Sequence, residues 1–307
     1  CIKCQLCMMK SLYIPEFFPD HRGLLWYTGR MEHQVLIRKA TGELENFDPE
    51  KLSDSLRRAG ADEASVTEIT DEIESWLEDG VTTRKIYSRA HSLLSRHKKS
   101  ASARYKVKQA LMELGSSGYP FEHFVGELFK RQGYEVEVGQ VLEGCSITHE
   151  MDVIATANGV QHLVECKHSQ IQGKYVSIQT PLYVHSRVND IVNKRRGEDA
   201  YRGLTFHGWV ATNTRFSSDS MQYAAYYGLK LLGWDYPAGQ GIKDLIEREK
   251  IFPITVLANL AVKHRDYLLE NGVVTCTELR DRLDLLDVLE VPEKRRNALK
   301  RELEMLV

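Results

Sequence analysis

Long apolar runs are missing from this chain. No stretch approaches the roughly 20 residues that cross a bilayer, and no basic-then-apolar leader opens it. The expectation is a cytoplasmic protein with no membrane partner. An excess of one charge is missing too: 41 Lys and Arg stand against 43 Asp and Glu, for a formal net charge of -2. No global field draws a polyanion, so any nucleic-acid surface has to be local. Cysteine is scarce, six in 307 residues, with Cys1, Cys4 and Cys7 crowded at the start and Cys145, Cys166 and Cys276 scattered. That spacing excludes a disulfide framework and fits a reducing compartment. A Gly-rich phosphate loop of the Walker type is absent, which argues against nucleotide hydrolysis.

Residues 1–31 carry neither helical nor strand periodicity and are read as an unpatterned extension, with Met31 as the expected natural start. The Cys-x-x-Cys-x-x-Cys run suggests zinc, but a structural site wants four ligands, and the nearest spare one is His21.

From Val35, "VLIRKATGELENF" has two short apolar runs about a Thr-Gly turn, which predicts a hairpin. "DPEKLSDSLRRAG" then offers Asp48 as N-cap, Pro49 at the first helical position and Gly60 as terminator. Further helices are predicted over about 63–79, 83–97 and 101–114, ending at "GSSGYP". The reading makes 32–118 one domain. A second, 119–240, opens on the amphipathic helix "PFEHFVGELFKRQGY", with strands near 134–141, 151–157, 160–168 and 205–212 and helices near 175–195 and 217–231. Residues 241–307 read as a helical tail built around Asn271-Gly272.

The segment "HEMDVIATANGVQHLVECKHS" holds the chemistry. Alternation puts Asp152, Ile154 and Thr156 on one face, and Asn158-Gly159 is the pair a tight type I′ hairpin demands. Glu165 and Lys167 are two apart on the return strand and project to the same side, near Asp152. Converging carboxylates repel unless a hard divalent cation lies between them, and Mg²⁺ favours one or two carboxylates plus phosphate oxygens. The lysine could then orient or deprotonate a water and neutralise charge on a phosphate. An ordinary edge hairpin with solvated charges is the plain alternative, and the apolar runs "VIA" and "HLV" weigh against it. His149, His162 and His168 match no zinc spacing and are expected to be phosphate contacts or surface residues. Tyr223, Tyr226 and Tyr227 are expected to be core or helix-packing residues.

Glu127 on a helix, then Asp152, then Glu165-Cys166-Lys167, resembles the PD-(D/E)xK nuclease superfamily and within it the Mrr-like restriction endonucleases, over about residues 119–237. The resemblance implies a restriction-endonuclease-like α/β/α domain in which Asp152 and Glu165 hold Mg²⁺ or Mn²⁺, Lys167 is the catalytic lysine and Glu127 the helix acid. Met151 stands where the family's motif has proline, and Gln179 lies where some relatives place an extra polar residue. Residues 33–114 resemble the ATP cone, a regulatory nucleotide-binding domain of β-hairpin plus helices. That resemblance implies ATP or dATP as ligand, with Arg38, Lys39 and Lys51 on the phosphates and Thr83 and Arg104 beside them. Here Arg38-Lys39 reverses the usual basic pair, and the common aspartate before Gly42 is missing.

"KHRDYLLENGVVTCTEL" resembles a helix-hairpin-helix, whose turn would present backbone N–H groups to a DNA phosphate. The basic runs 96–108, 193–196 and 293–301 offer further local positive charge, though each alone is ordinarily a solvated helix face. The expectation is a multidomain α/β, Mg-dependent endodeoxyribonuclease with DNA and nucleotide as partners, forming a homo-oligomer. Its rivals are a nucleotide-responsive DNA-binding regulator and a nuclease fold without catalysis.

Overall fold

The computed structural model describes residues 34–97, 99–115 and 117–307. Cys1, Cys4, Cys7, His21 and Met31 lie outside the described residues. The first hairpin pairs β1 (Leu36–Arg38) with β2 (Leu44–Asn46), antiparallel. Next comes α1 (Pro49–Arg58), where the Asp48 carboxylate accepts from the N–H groups of Glu50 and Lys51 and Pro49 needs no partner for a missing donor. Then follow α2 (Glu63–Trp76), capped by Asp62, and α3 (Thr83–His97). Ile37, Leu56, Ile69, Ile73 and Leu94 close a small core among these elements.

The helix expected over 101–114 is two, α4 (Lys99–Tyr105) and α5 (Val107–Met112), parted at Lys106. Packing accounts for the break. Tyr105 belongs to the core just described, whereas Val107, Ala110 and Leu111 belong to the large central one. The chain changes partners at that residue.

The amphipathic helix forms as α6 (Tyr119–Arg131), burying Phe121, Phe124, Val125 and Leu128. After it run β3 (Glu135–Glu143), β4 (Thr148–Ala157), β5 (Val160–Lys167), the two-residue β6 (Tyr175–Val176), α7 (Gln179–Arg195), β7 (Thr205–Thr212), β8 (Arg215–Phe216), α8 (Ser218–Tyr227) and β9 (Lys230–Leu232). The main sheet has the order β3-β4-β5-β7-β9, antiparallel at its first two junctions and parallel at the last two. Asn158 and Gly159, with φ of 50° and 76°, make the predicted tight turn and set Ala157 opposite Val160. The helix expected to run on to 231 stops early: Gly228 adopts φ 72°, and Lys230–Leu232 leaves as the fifth strand. Three residues are too few to show strand periodicity.

Both faces of the sheet are covered. Ile154, Leu163 and Val210 meet Val184, Val188 and Ile191 of α7 on one face. On the other, Val153, Val164 and Ala211 meet α6 and a helical tail of α9 (Ile242–Glu249), α10 (Val262–Glu270), α11 (Cys276–Asp281), α12 (Leu285–Val288) and α13 (Glu293–Leu306). Ile246, Phe252, Leu268, Leu279, Leu299 and Leu303 are part of that same core, and the Thr255 hydroxyl donates to the Ala110 carbonyl at 2.7 Å. Residues 35–307 thus pack as one unit. No helix among the described residues is long and apolar enough to cross a membrane.

Because the tail completes the core beneath the sheet, Leu299→Ala should cost about 2–5 kcal/mol, the range for deleting a buried leucine. The sheet should melt with the tail in a single transition, followed by circular dichroism and tryptophan fluorescence together. Two separated transitions would contradict the shared core.

Candidate active site

Val153 pairs with Val164, so Asp152 and Glu165 fall at the next step of the same register, directly across from one another. The Asp152 carboxylate accepts from the Cys166 N–H at 2.6 Å. On its other side the β3–β4 ladder skips the step between Gly139 and Asp152, and Gly139 takes φ 65°, a kink at the strand position facing the aspartate. Glu165 is 4% exposed and fully engaged. Its Oε1 accepts from Lys167 Nζ at 2.5 Å and from the Tyr183 hydroxyl at 2.9 Å, and its Oε2 accepts from Arg187 at 2.8 Å. The Arg187 guanidinium also donates to the carbonyl of Glu150, clamping α7 to β4. Asp152, Glu165 and Lys167 are therefore brought together.

Glu127 is not part of this cluster. It pairs with Lys130 at 2.5 Å, and its other charged neighbours are His123 and Glu278. Glu122 stands there instead, about 140° away around α6 at 100° per residue. Its carboxyl is pushed up to about 7 by burial and by the negative charges of Asp152, Glu150 and Glu165. Asp152 is pushed up to about 6, by burial first and Glu165 second. Lys167 has the opposite balance: burial lowers it, but the bond to Glu165 and the Tyr183 oxygen outweigh that and raise it, so it is held as a cation.

Sequence reasoning missed Glu122, Tyr183 and Arg187. Gln179 lies exposed at the start of α7, and Tyr183 and Arg187 follow at i+4 and i+8, so one stripe of the helix did face the site. The histidines are neither surface residues nor free to meet a phosphate. His149 bonds Asp190 at 2.8 Å, His162 is held between Tyr134 and Trp209, and His168 reaches the Leu111 carbonyl. Asp190, lowered to about 2 chiefly by His149, also accepts from Ser146 and so pins the β3–β4 turn to α7. Tyr226 and Tyr227 lie outside the core, 82% and 52% exposed, while Tyr223 and Tyr227 both pack against His185 of α7.

Residues 35–108 match the ATP cone domain, residues 114–235 the Mrr-type restriction endonuclease domain, and residues 252–307 the AF1548-like C-terminal domain. An uncharacterized protein of Archaeoglobus fulgidus is 30% identical over 155 residues, which are 50% of this chain and 83% of that protein. The crystal structure of AF1548, a protein of unknown function, superposes with a TM-score of 0.51 at 28% identity, covering 61% of this chain and 96% of that one. The chain belongs to this AF1548-like family, here with an ATP cone joined to an Mrr-like endonuclease domain. MspJI restriction endonuclease bound to a 27-mer oligonucleotide aligns over 56% of this chain and 36% of that one at 18% identity, with a TM-score of 0.33.

In the ATP cone, Lys39, Thr83 and Arg104 line a cavity of about 550 Å³, and Lys51 and Thr83 an adjoining one of about 220 Å³. Arg38 lines neither: neighbours on a strand point opposite ways, and the cavity takes Lys39. In the tail, Gly272 and Val273 donate to carbonyls of α10, and Val274 and Thr275 to Glu278. Among the described residues the hairpin-like turn therefore keeps its backbone donors for itself, which removes the expected phosphate contact there.

The raised carboxyls give a pH signature. Their folded values lie above the ordinary carboxylate value, so they cost no stability below about pH 4, cost progressively more as pH rises from there to about 6 and 7, and level off above. In metal-free protein, Asp152→Asn should stabilise by about 1–2 kcal/mol at pH 8, allowing for solvent screening, and by nothing near pH 4. Urea denaturation at both pH values measures this, and equal effects at the two would contradict the charge cluster.

Proposed function

We propose that this chain is a metal-dependent endodeoxyribonuclease whose cleavage is governed by ATP or dATP. The observation that carries it is the convergence of Asp152, Glu165 and Lys167 across one hairpin, backed by Glu122, Tyr183 and Arg187, inside the region that matches the restriction endonuclease domain.

The donors fit a hard divalent cation. Asp152 and Glu165 are oxygen ligands, and the repulsion that lifts Asp152 and Glu122 is what a cation relieves. Among the described residues no three His, Cys, Asp or Glu side chains form a ready cage. Mg²⁺ and Mn²⁺ bind through one or two carboxylates with water and phosphate oxygens completing the shell, which matches an all-oxygen donor pair. When bound, such an ion supplies Lewis-acid charge at the scissile phosphate.

The remaining steps fall to the chain. Lys167, held cationic, neutralises charge growing on the phosphate oxygens and is a poor proton acceptor in this arrangement. Glu122, half-buried beside Asp152, is the carboxylate placed to take a proton from an attacking water. Tyr183 and Arg187 fix the Glu165 carboxylate, so that its orientation is set before substrate arrives. The cone has no hydrolysis motif, so nucleotide acts through differential affinity for two states, in domain docking or in assembly as a homo-oligomer.

Supercoiled plasmid with Mg²⁺ or Mn²⁺ tests this. Glu165→Ala, Lys167→Ala and Glu122→Ala should each lower cleavage by roughly 100-fold or more, whereas Glu127→Ala should keep it. Binding without cleavage of plain, methylated or single-stranded DNA would instead make the protein a nucleotide-responsive DNA-binding regulator.

A further inference from the structure

The 550 Å³ cavity is not walled by the cone alone. Ile171–Tyr175, from the connection between β5 and α7, forms one side, and Lys108, Arg215, Trp234 and Lys243 complete it. Its size is that of sites for small organic ligands. The cone and this connection touch closely: a Cβ at Gly173, which has φ 81°, would stand 3.2 Å from Ala40 Cβ in the hairpin turn.

The wall carries seven cations against four carboxylates, Glu43, Glu45, Asp235 and Glu247, and Glu247 lies within the field of Arg58, Lys243 and Arg104. Lys39 is neutralised by Glu45 at 2.6 Å and Arg215 by Asp235 at 2.9 Å. Arg58, Arg104, Lys108, Lys174 and Lys243 make no ion pair among the described residues. The Nε of Arg104 is buried with no hydrogen-bond partner, and its guanidinium lies over Phe252. Lys108 stands over Trp234 at 5.6 Å and is lowered by burial and by its cationic neighbours Arg215 and Lys243. Crowded cations of this kind, beside aromatic rings, call for a polyanion with a flat ring system. Tyr87 and Tyr105, stacked at 4.7 Å, are also on the wall.

The connection that forms the far wall is tied to the candidate active site at both ends. At its start, the Lys167 carbonyl accepts from Thr212, and Ser169 exchanges two hydrogen bonds with Asn213. In its middle, β6 pairs with β8. At its end begins α7, which delivers Tyr183 and Arg187 to Glu165.

We propose that this cavity is a composite nucleoside-triphosphate site, in which Lys108, Lys174 and Lys243 join the cone's Arg104 on the phosphates, so that bound nucleotide fastens the Ile171–Tyr175 connection to the cone. This rests on the reading of the cone as a nucleotide binder and adds who else holds the ligand. Occupation then restrains the segment from which both Lys167 and α7 are hung, giving ligand and cluster a common mechanical element.

The test is calorimetric titration of the full chain with ATP, and with inorganic triphosphate as a base-free probe, alongside Lys174→Ala/Lys243→Ala. Hydrogen exchange of the wild type is measured with and without ATP. The expected result is at least tenfold weaker binding of both probes by the double variant, and ATP-dependent protection of residues 169–177. Unchanged affinity, with protection confined to residues 35–105, would overturn the composite site and leave the cone's nucleotide binding standing. No ATP binding by the wild type would overturn both. Because the exchange experiment uses unaltered protein, misfolding of the variant cannot decide the outcome.

Discussion

Glu165 sets the terms for the endonuclease-like domain of the molecule. A carboxylate this deeply buried is costly unless each oxygen is paired. Lys167, Tyr183 and Arg187 supply the partners, and each arrives by a different piece of architecture. Lys167 comes from the same strand. Tyr183 and Arg187 come from α7, which must lie across the sheet at one height for both to reach. The Arg187 bond to the Glu150 carbonyl and the Asp190 bonds to His149 and Ser146 hold that height. The helix is therefore positioned by polar contacts at the site as much as by Val184, Val188 and Ile191 beneath it.

The unpaired charge lies next to this neutralised one. Asp152 has one backbone donor and faces Glu165 across the ladder, and Glu122 closes from α6. The site thus combines a satisfied carboxylate with two raised ones. One small cluster therefore holds carboxylates in two quite different electrostatic settings. The apolar packing of α6 and of the tail beneath the sheet keeps Glu122 at that station.

Much of this was legible from residue order. The hairpin of β4 and β5, its turn and the three motif residues followed from alternation and from Asn158-Gly159, because short-range geometry alone fixes them. The cone's hairpin and the α1 cap were legible for the same reason. The choice between Glu122 and Glu127 was not. Both sit on the polar border of one amphipathic helix, and only the rotation of α6 against the sheet separates them. Arg187 and Tyr183 were hidden by sequence distance, although their i, i+4 spacing was a usable signal. The histidines misled because exposure was inferred from polarity, whereas each has a partner far away in sequence. Within the basic runs some charges are already committed: Arg195 is buried against Gln161, and Lys194 and Arg296 are paired with Glu143 and Asp287. Lys108 faces inward to a cavity.

The proposed chemistry depends on the carboxylates of this hairpin binding a divalent cation. Titration with Mn²⁺, followed by the paramagnetic signal of the free ion, tests it without substrate or turnover. A saturable site is expected in the wild-type chain and in Glu127→Ala, and it should be lost or strongly weakened in Asp152→Ala. Undiminished Mn²⁺ binding by Asp152→Ala, in protein that melts like the wild type, would contradict it.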